Sequence, residues 1–110
     1  MPVWPIPPVE IQPVITLDRW QIIRLPNGDC HFVGYNPAGL EGRVSNIVTA
    51  FDQARMRART KSGRIYELVG APGWSKHAQY VLGRWCALNS IEVGALEYVT
   101  PAALAGLPIE

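Results

Sequence analysis

The sequence is short of long hydrophobic runs, of cysteine and of catalytic signatures, and each shortage removes a class of protein. Its apolar runs extend over only a few residues, too short for a membrane-spanning helix. The opening Met1-Pro2-Val3-Trp4-Pro5-Ile6-Pro7-Pro8 has neither a basic stretch nor a continuous apolar segment. No signal peptide is therefore expected, and the expected location is the cytoplasm. With cysteine only at Cys30 and Cys86, in separate predicted elements, a disulfide framework is excluded. In a reducing compartment both are expected as buried thiols. There is no Gly-x-Ser-x-Gly elbow, no His-Glu-x-x-His and no phosphate loop.

Metal chemistry is also not expected, although Cys30, His31, His77 and Cys86 supply thiols and imidazoles. Zinc ligands normally come in close pairs separated by a few residues. Adjacent residues such as Cys30 and His31 point to opposite faces of a strand. His77 and Cys86 are nine apart and fall on opposite sides of a helix. Buried cysteines with both histidines nearer the surface are the expected arrangement, with no metal and no cofactor. Cys86 stands beside Trp85 in an apolar stripe, where burial suppresses a thiol nucleophile. The acids are scattered, so an enzyme is not expected.

What is present is a chain of 110 residues, 48% hydrophobic and 17% charged, which suits one folded domain. Its net charge of +1 is unevenly spread. Residues 43–76 hold Arg43, Arg55, Arg57, Arg59, Lys61, Arg64 and Lys76 against Asp52 and Glu67. The rest has Arg19, Arg24 and Arg84 against seven acids. The charge is polarised, so any attraction for an anionic partner is confined to one face.

Residues 1–13 read as a proline-rich extended arm, because Pro2, Pro5, Pro7, Pro8 and Pro13 fix φ and cannot donate to a ladder. Val3, Trp4, Ile6, Val9 and Ile11 make it apolar enough to lie across the domain or to dock on a second chain. Residues 14–110 read as a single domain. Residues 14–25 and 29–35 flank Pro26-Asn27-Gly28, a hairpin loop. A three-residue loop pairs Ile22 with Phe32 and Trp20 with Gly34; a two-residue Asn-Gly turn pairs Ile22 with Val33. Either way both faces of this hairpin are apolar, so it must be central or covered. Arg43 to Phe51 reads as one strand, rich in β-branched residues.

The segment Arg55 to Leu68 alternates cationic with small or apolar residues around Ser62-Gly63. It predicts a second hairpin with a basic outer face. A three-residue loop, Lys61-Ser62-Gly63, sets Met56 against Leu68, Ala58 against Tyr66 and Arg57 against Glu67. A two-residue loop mixes the faces, so the first register is expected. After the Gly70-Ala71-Pro72-Gly73 turn, Ser75 to Leu88 has helical spacing at Ala78, Val81, Leu82, Trp85 and Leu88. Ser75 is the expected N-cap and Asn89 a left-handed stop. Ile91 to Val99 reads as a further strand, and 101–106 as a short helix opened by Pro101. Trp20, Trp74 and Trp85 are the core tryptophan candidates.

The expected fold is α+β: a sheet of about five mostly antiparallel strands with one amphipathic helix on one face. Gly42-Arg43-Val44-Ser45, the run from Thr60 to Gly70, and Trp85 late in a helix resemble small bacterial proteins of unknown function. That resemblance covers about half the chain by inspection; it implies a bacterial cytosol and brings no activity and no site residues.

Arg55, Arg57, Arg59, Lys61 and Arg64 are the candidate binding residues. Alternate residues of a strand lie about 7 Å apart on one face, close to the phosphate repeat along a nucleic-acid strand. The alternative is a solvated strand face whose like charges discourage aggregation. The expected function is a small non-enzymatic macromolecule-binding protein. Its partner is expected to be a protein, with nucleic acid as an alternative and self-association through the N-terminal arm as another.

Overall fold

The computed structural model describes residues 13–109. The arm assigned to residues 1–13 lies, apart from Pro13, outside the described residues. Seven strands form one curled sheet: β1 (Val14–Arg24), β2 (Cys30–Asn36), β3 (Glu41–Val44), β4 (Val48–Asp52), β5 (Arg57–Thr60), β6 (Ile65–Leu68) and β7 (Glu97–Val99). Their order is β3-β2-β1-β6-β5-β4, with β7 also on β1. All pairings are antiparallel except β1 with β6. One helix, α1 (Lys76–Leu88), packs against the sheet. The class is therefore α+β with a mostly antiparallel sheet, larger than the five strands expected.

Turn chemistry sets the register of both hairpins. In the first, Leu25 N–H donates to Asp29 O at 2.8 Å, and Gly28 adopts φ +94 at the end of the Pro26-Asn27-Gly28 loop. Ile22 accordingly faces Phe32, the three-residue alternative. The expected Trp20–Gly34 pair is not formed, because a bulge between Asp18 and Gln21 shifts the ladder and Arg19 takes φ +45. In the second hairpin Thr60 N–H donates to Arg64 O and Gly63 takes φ +88. Arg57 faces Glu67 and Ala58 faces Tyr66, as expected. Leu68 N–H closes on Met56 O at 2.9 Å.

The expected single strand from Arg43 to Phe51 is two strands. Ser45 N–H donates to Phe32 O, while Ser45 Oγ accepts from Phe32 N–H and donates to Asn46 O, each at 2.7–2.8 Å. These bonds pin the chain as it leaves β2 and crosses to pair with β5. The β-branched run hides that change of partner. The expected strand from Ile91 to Val99 shortens to β7 after a 3-10 turn at Val93–Ala95. The C-terminal helix is one 3-10 turn, Pro101–Leu104.

The curled sheet and the helix create two cores on opposite sides of the first hairpin. Ile22 and Phe32 point into one, with Ile15, Leu17, Trp20, Phe51, Ala58, Tyr66 and Leu68. Phe32 lies 6.3 Å from Phe51 and 6.2 Å from Tyr66 between ring centres, so β4 and β6 close over β2. Ile23 and Val33 point the other way, against Ala78, Leu82 and Cys86 of α1. The helix starts where expected, with Ser75 Oγ accepting from Ala78 N–H at 3.0 Å. It seats so closely on β3 that a Cβ at Gly42 would overlap the backbone of His77 and Ala78.

Several local expectations fail for tertiary reasons. Leu88 is exposed, although Cys86 in the same turn is buried against Ile23 and Val33. Asn89 is not left-handed; Ser90, at φ +56, makes the reversal. Trp20 is buried, whereas Trp74 and Trp85 are only partly covered. Both cysteines are buried free thiols, as expected. His31 is buried rather than near the surface.

Candidate binding surfaces

The five cations singled out from the sequence do not share one face. Ala58, Thr60, Arg64, Tyr66 and Leu68 are all buried, so Arg64 follows the inward parity of Tyr66. It is 5% exposed and does not belong to the outer row. The register chosen from sequence already implied this, since 64, 66 and 68 alternate onto one side. Arg55 also leaves the row, because it stands in the turn before β5, next to Met56 at φ +51. Arg57 and Arg59 keep the outward face of β5, and Lys61 stands exposed at the hairpin tip.

Acids temper this face. Arg57 Nη1 lies 3.8 Å from Glu67 Oε2 across the strands, and Arg55 Nε lies 3.8 Å from Asp52 Oδ2. Both pairs have an exposed arginine, so the attraction is weakened by solvent and salt. Arg59, also exposed, donates to Gly63 O at 3.4 Å. A hollow lined by Arg57 and Arg59 measures about 10 Å³, too small for anything beyond a water-sized group.

A second arginine with a defined environment escaped the sequence reading of sites. Arg43, on β3, is 4% exposed and reaches across the first core. Its Nε donates to the Tyr66 hydroxyl at 2.9 Å and its Nη1 to Glu41 Oε1 at 3.1 Å. Asn36 Nδ2 reaches the same carboxylate oxygen at 3.5 Å. Arg43 Nη2 and Asn36 Oδ1 have no protein partner among the described residues. This group ties β3 to β6, and its reach toward Tyr66 is an internal role rather than surface recognition. Opposite Arg43 stands Gly34, where a side chain would crowd Asp18 O and Leu17.

An open cleft of about 720 Å³ lies at the C-terminal end of α1. The Pro26-Asn27-Gly28 loop, the Ser45–Ile47 crossing and the last turn of α1 wall it. His31 lies in its lining, with Nδ1 donating to Ser45 O at 2.8 Å and its ring 4.8 Å edge-on to Trp85. Asp29 and His31 share the side of β2 that carries Val33, so the cleft continues the helix-covered face beyond the helix. Only strand parity and the two-faced pattern of Ile23 and Val33 hinted at it. The sequence carries no signal for where α1 stops relative to the sheet.

The thiols add no reactive group. Burial pushes Cys30 above its ordinary pKa, opposed by Arg24 and reinforced by Asp29 and Glu97, and burial alone pushes Cys86 up. Among the described residues no cluster of three or more His, Cys, Asp or Glu side chains is placed to hold a metal ion. No helix among them is long and apolar enough to cross a membrane. Comparison with known proteins found no matching family, and neither the curated proteins nor the solved structures gave a significant match.

Proposed function

We propose that this chain is a small non-enzymatic binding protein that meets an acidic protein surface through the outer face of β5 and β6. The observation that carries this reading is the outward placement of Arg57, Arg59 and Lys61, with Arg55 beside them. The hollow lined by Arg57 and Arg59, about 10 Å³, is far below the size of a small-molecule site, which favours a macromolecule. The composition of the patch favours protein over nucleic acid. Asp52 and Glu67 stand within 3.8 Å of Arg55 and Arg57, and a row of phosphates would meet them as well as the arginines. A mixed-charge protein surface can answer both signs and gain specificity from them.

The test uses Arg59→Glu with Lys61→Glu, two exposed positions whose reversal leaves the core untouched. Binding of poly-L-glutamate and of single-stranded DNA is measured against salt by fluorescence anisotropy. Retention of poly-L-glutamate by the native chain, weakened about tenfold or more by the double reversal, is expected. Tighter binding to the DNA, or no effect of the reversal, overturns the reading.

A second reading, self-association, is favoured by a separate apolar hollow of about 380 Å³ between α1 and β7, lined by Trp74, Leu82, Val93 and Tyr98. Val93 and Tyr98 are at least half exposed there. Sedimentation of the full chain and of Tyr98→Asp tests it: a dimer that the substitution splits is the expected result, and a monomer in both cases dismisses it.

A further inference from the structure

We propose that the cleft at the end of α1 is a binding site for a small organic cation, a protonated primary amine carried on an apolar or aromatic body. This site is independent of the basic face, and its ligand has the opposite charge preference.

The argument begins with the polar atoms that the fold has already used. His31 donates through Nδ1 to Ser45 O, and a carbonyl can only accept, so in the neutral ring Nε2 is left as an acceptor. Ser45 Oγ is spent in both directions on Phe32 N–H and Asn46 O. Asn89 gives its Nδ2 to Trp85 O at 2.8 Å, which leaves its amide oxygen. Asp29 takes the Asn27 amide on Oδ2 at 3.0 Å, which leaves Oδ1. The groups that line this cleft and retain capacity are three acceptors, His31 Nε2, Asn89 Oδ1 and Asp29 Oδ1, beside two donors, the Trp85 indole N–H and Asn46 Nδ2, whose Oδ1 accepts from Ile47 N–H at 2.8 Å. A protonated amine satisfies the three acceptors, whereas a carboxylate or phosphate would bring its charge against Asp29.

Charge points the same way. Asp29 is the one ionised side chain in the described lining. The cleft also receives the C-terminal end of α1, the negative end of the helix dipole, and the last turn of α1 has no basic residue to answer it. Arg24, the nearest cation along the first hairpin, is held by Glu97 at 2.8 Å. An ammonium group in the cleft supplies the missing positive charge.

The remaining wall selects the body of the ligand. Trp85 is partly exposed and stands beside His31, while Val44, Ile47 and Ile91 complete an apolar side. An aromatic face next to an acidic rim attracts a cation on an apolar frame, by area burial and by the ring quadrupole. The volume of about 720 Å³ is that of a small-molecule site.

Two-dimensional amide NMR of the full chain tests this, with 2-phenylethylamine as the probe and 3-phenylpropionate as a counterpart of similar body and opposite charge. The expected result is saturable shifts at the Trp85 indole N–H, the Asn89 side-chain amide and the His31 backbone, with the carboxylate binding at least about tenfold more weakly. Asp29→Asn should weaken the amine about tenfold, while Arg59→Glu, on the other face, should leave it unchanged. The comparison of the two probes on the native chain needs no variant and stands even if Asp29→Asn disturbs the hairpin loop. Equal binding of amine and carboxylate, no saturable binding of the amine, or shifts that map away from these residues, overturns the proposal.

Discussion

The two hairpins use the same turn and end in opposite surroundings. Each has a three-residue loop closed by a glycine at positive φ, Gly28 at +94 and Gly63 at +88. In β1–β2 both sides are buried, Ile22 and Phe32 under the curled sheet and Ile23 and Val33 under α1. In β5–β6 one side is covered, with Ala58, Thr60, Tyr66 and Leu68 buried, while Arg57, Arg59 and Glu67 remain toward water. Local turn chemistry thus determines register, whereas the packing of more distant elements determines how many faces of a ribbon are dry. Function is expected where a ribbon is left half-covered: the wet face of the second hairpin, and the margin of the first where the helix stops short.

The sharpest test of this contrast is to truncate the second face of each ribbon. Ile23→Ala should cost about 2–5 kcal/mol, because the helix cannot fully collapse onto the space. Arg57→Ala should cost no more than about 0.5 kcal/mol at its exposed ion pair. Urea unfolding of the two variants measures the difference, and equal losses would erase the distinction. A smaller effect is expected from Gly42→Ala, about 1–3 kcal/mol, since the new methyl meets helix backbone rather than a movable side chain. If the helix is what dries the first hairpin, this variant should also speed hydrogen exchange at Ile23 and Val33 while sparing Ala58.

Tyr66→Phe probes the polar tie that links the two ribbons. Removing the hydroxyl leaves Arg43 Nε without its acceptor and should cost about 1–3 kcal/mol. In a double-mutant cycle, Arg43→Met should recover part of that loss, because the buried guanidinium goes with its partner. Additive losses would mean that the two residues act separately. A narrower range is expected at the shared turn. Gly28→Ala and Gly63→Ala should each cost about 1–2 kcal/mol, from backbone conformation alone, as neither position has an atom within 4 Å of a new Cβ. Unequal thermal shifts for this pair would show that surroundings reach even into the loops.

Much of the ladder was legible before any coordinates. Ala58 against Tyr66 and Arg57 against Glu67 follow from alternation plus a glycine that permits positive φ. The start of α1 at Ser75 follows from capping. The dry second face of β1–β2 was visible as Ile23 and Val33, although what covers it was not. The candidate site was legible in part. Arg57, Arg59 and Lys61 emerge outward, but Arg55 falls in a turn and Arg64 turns inward. Arg64 misleads as a candidate, because its charge suggests exposure where strand parity turns it inward. Arg43 was missed because its environment depends on Tyr66, twenty-three residues away.

Sequence alone therefore determined what acts over a few residues: loop lengths, strand phase, the helix start and the unequal spread of charge. These are matters of backbone sterics and of hydrogen bonds between near neighbours. Tertiary structure alone decided the crossing at Ser45–Ile47, the parallel pairing of β1 with β6, the burial of Arg43 and Arg64, and the cleft around His31. Each of these depends on which distant surface arrives opposite a given side chain. Burial is a property of both partners, and a residue read by itself carries only one of them.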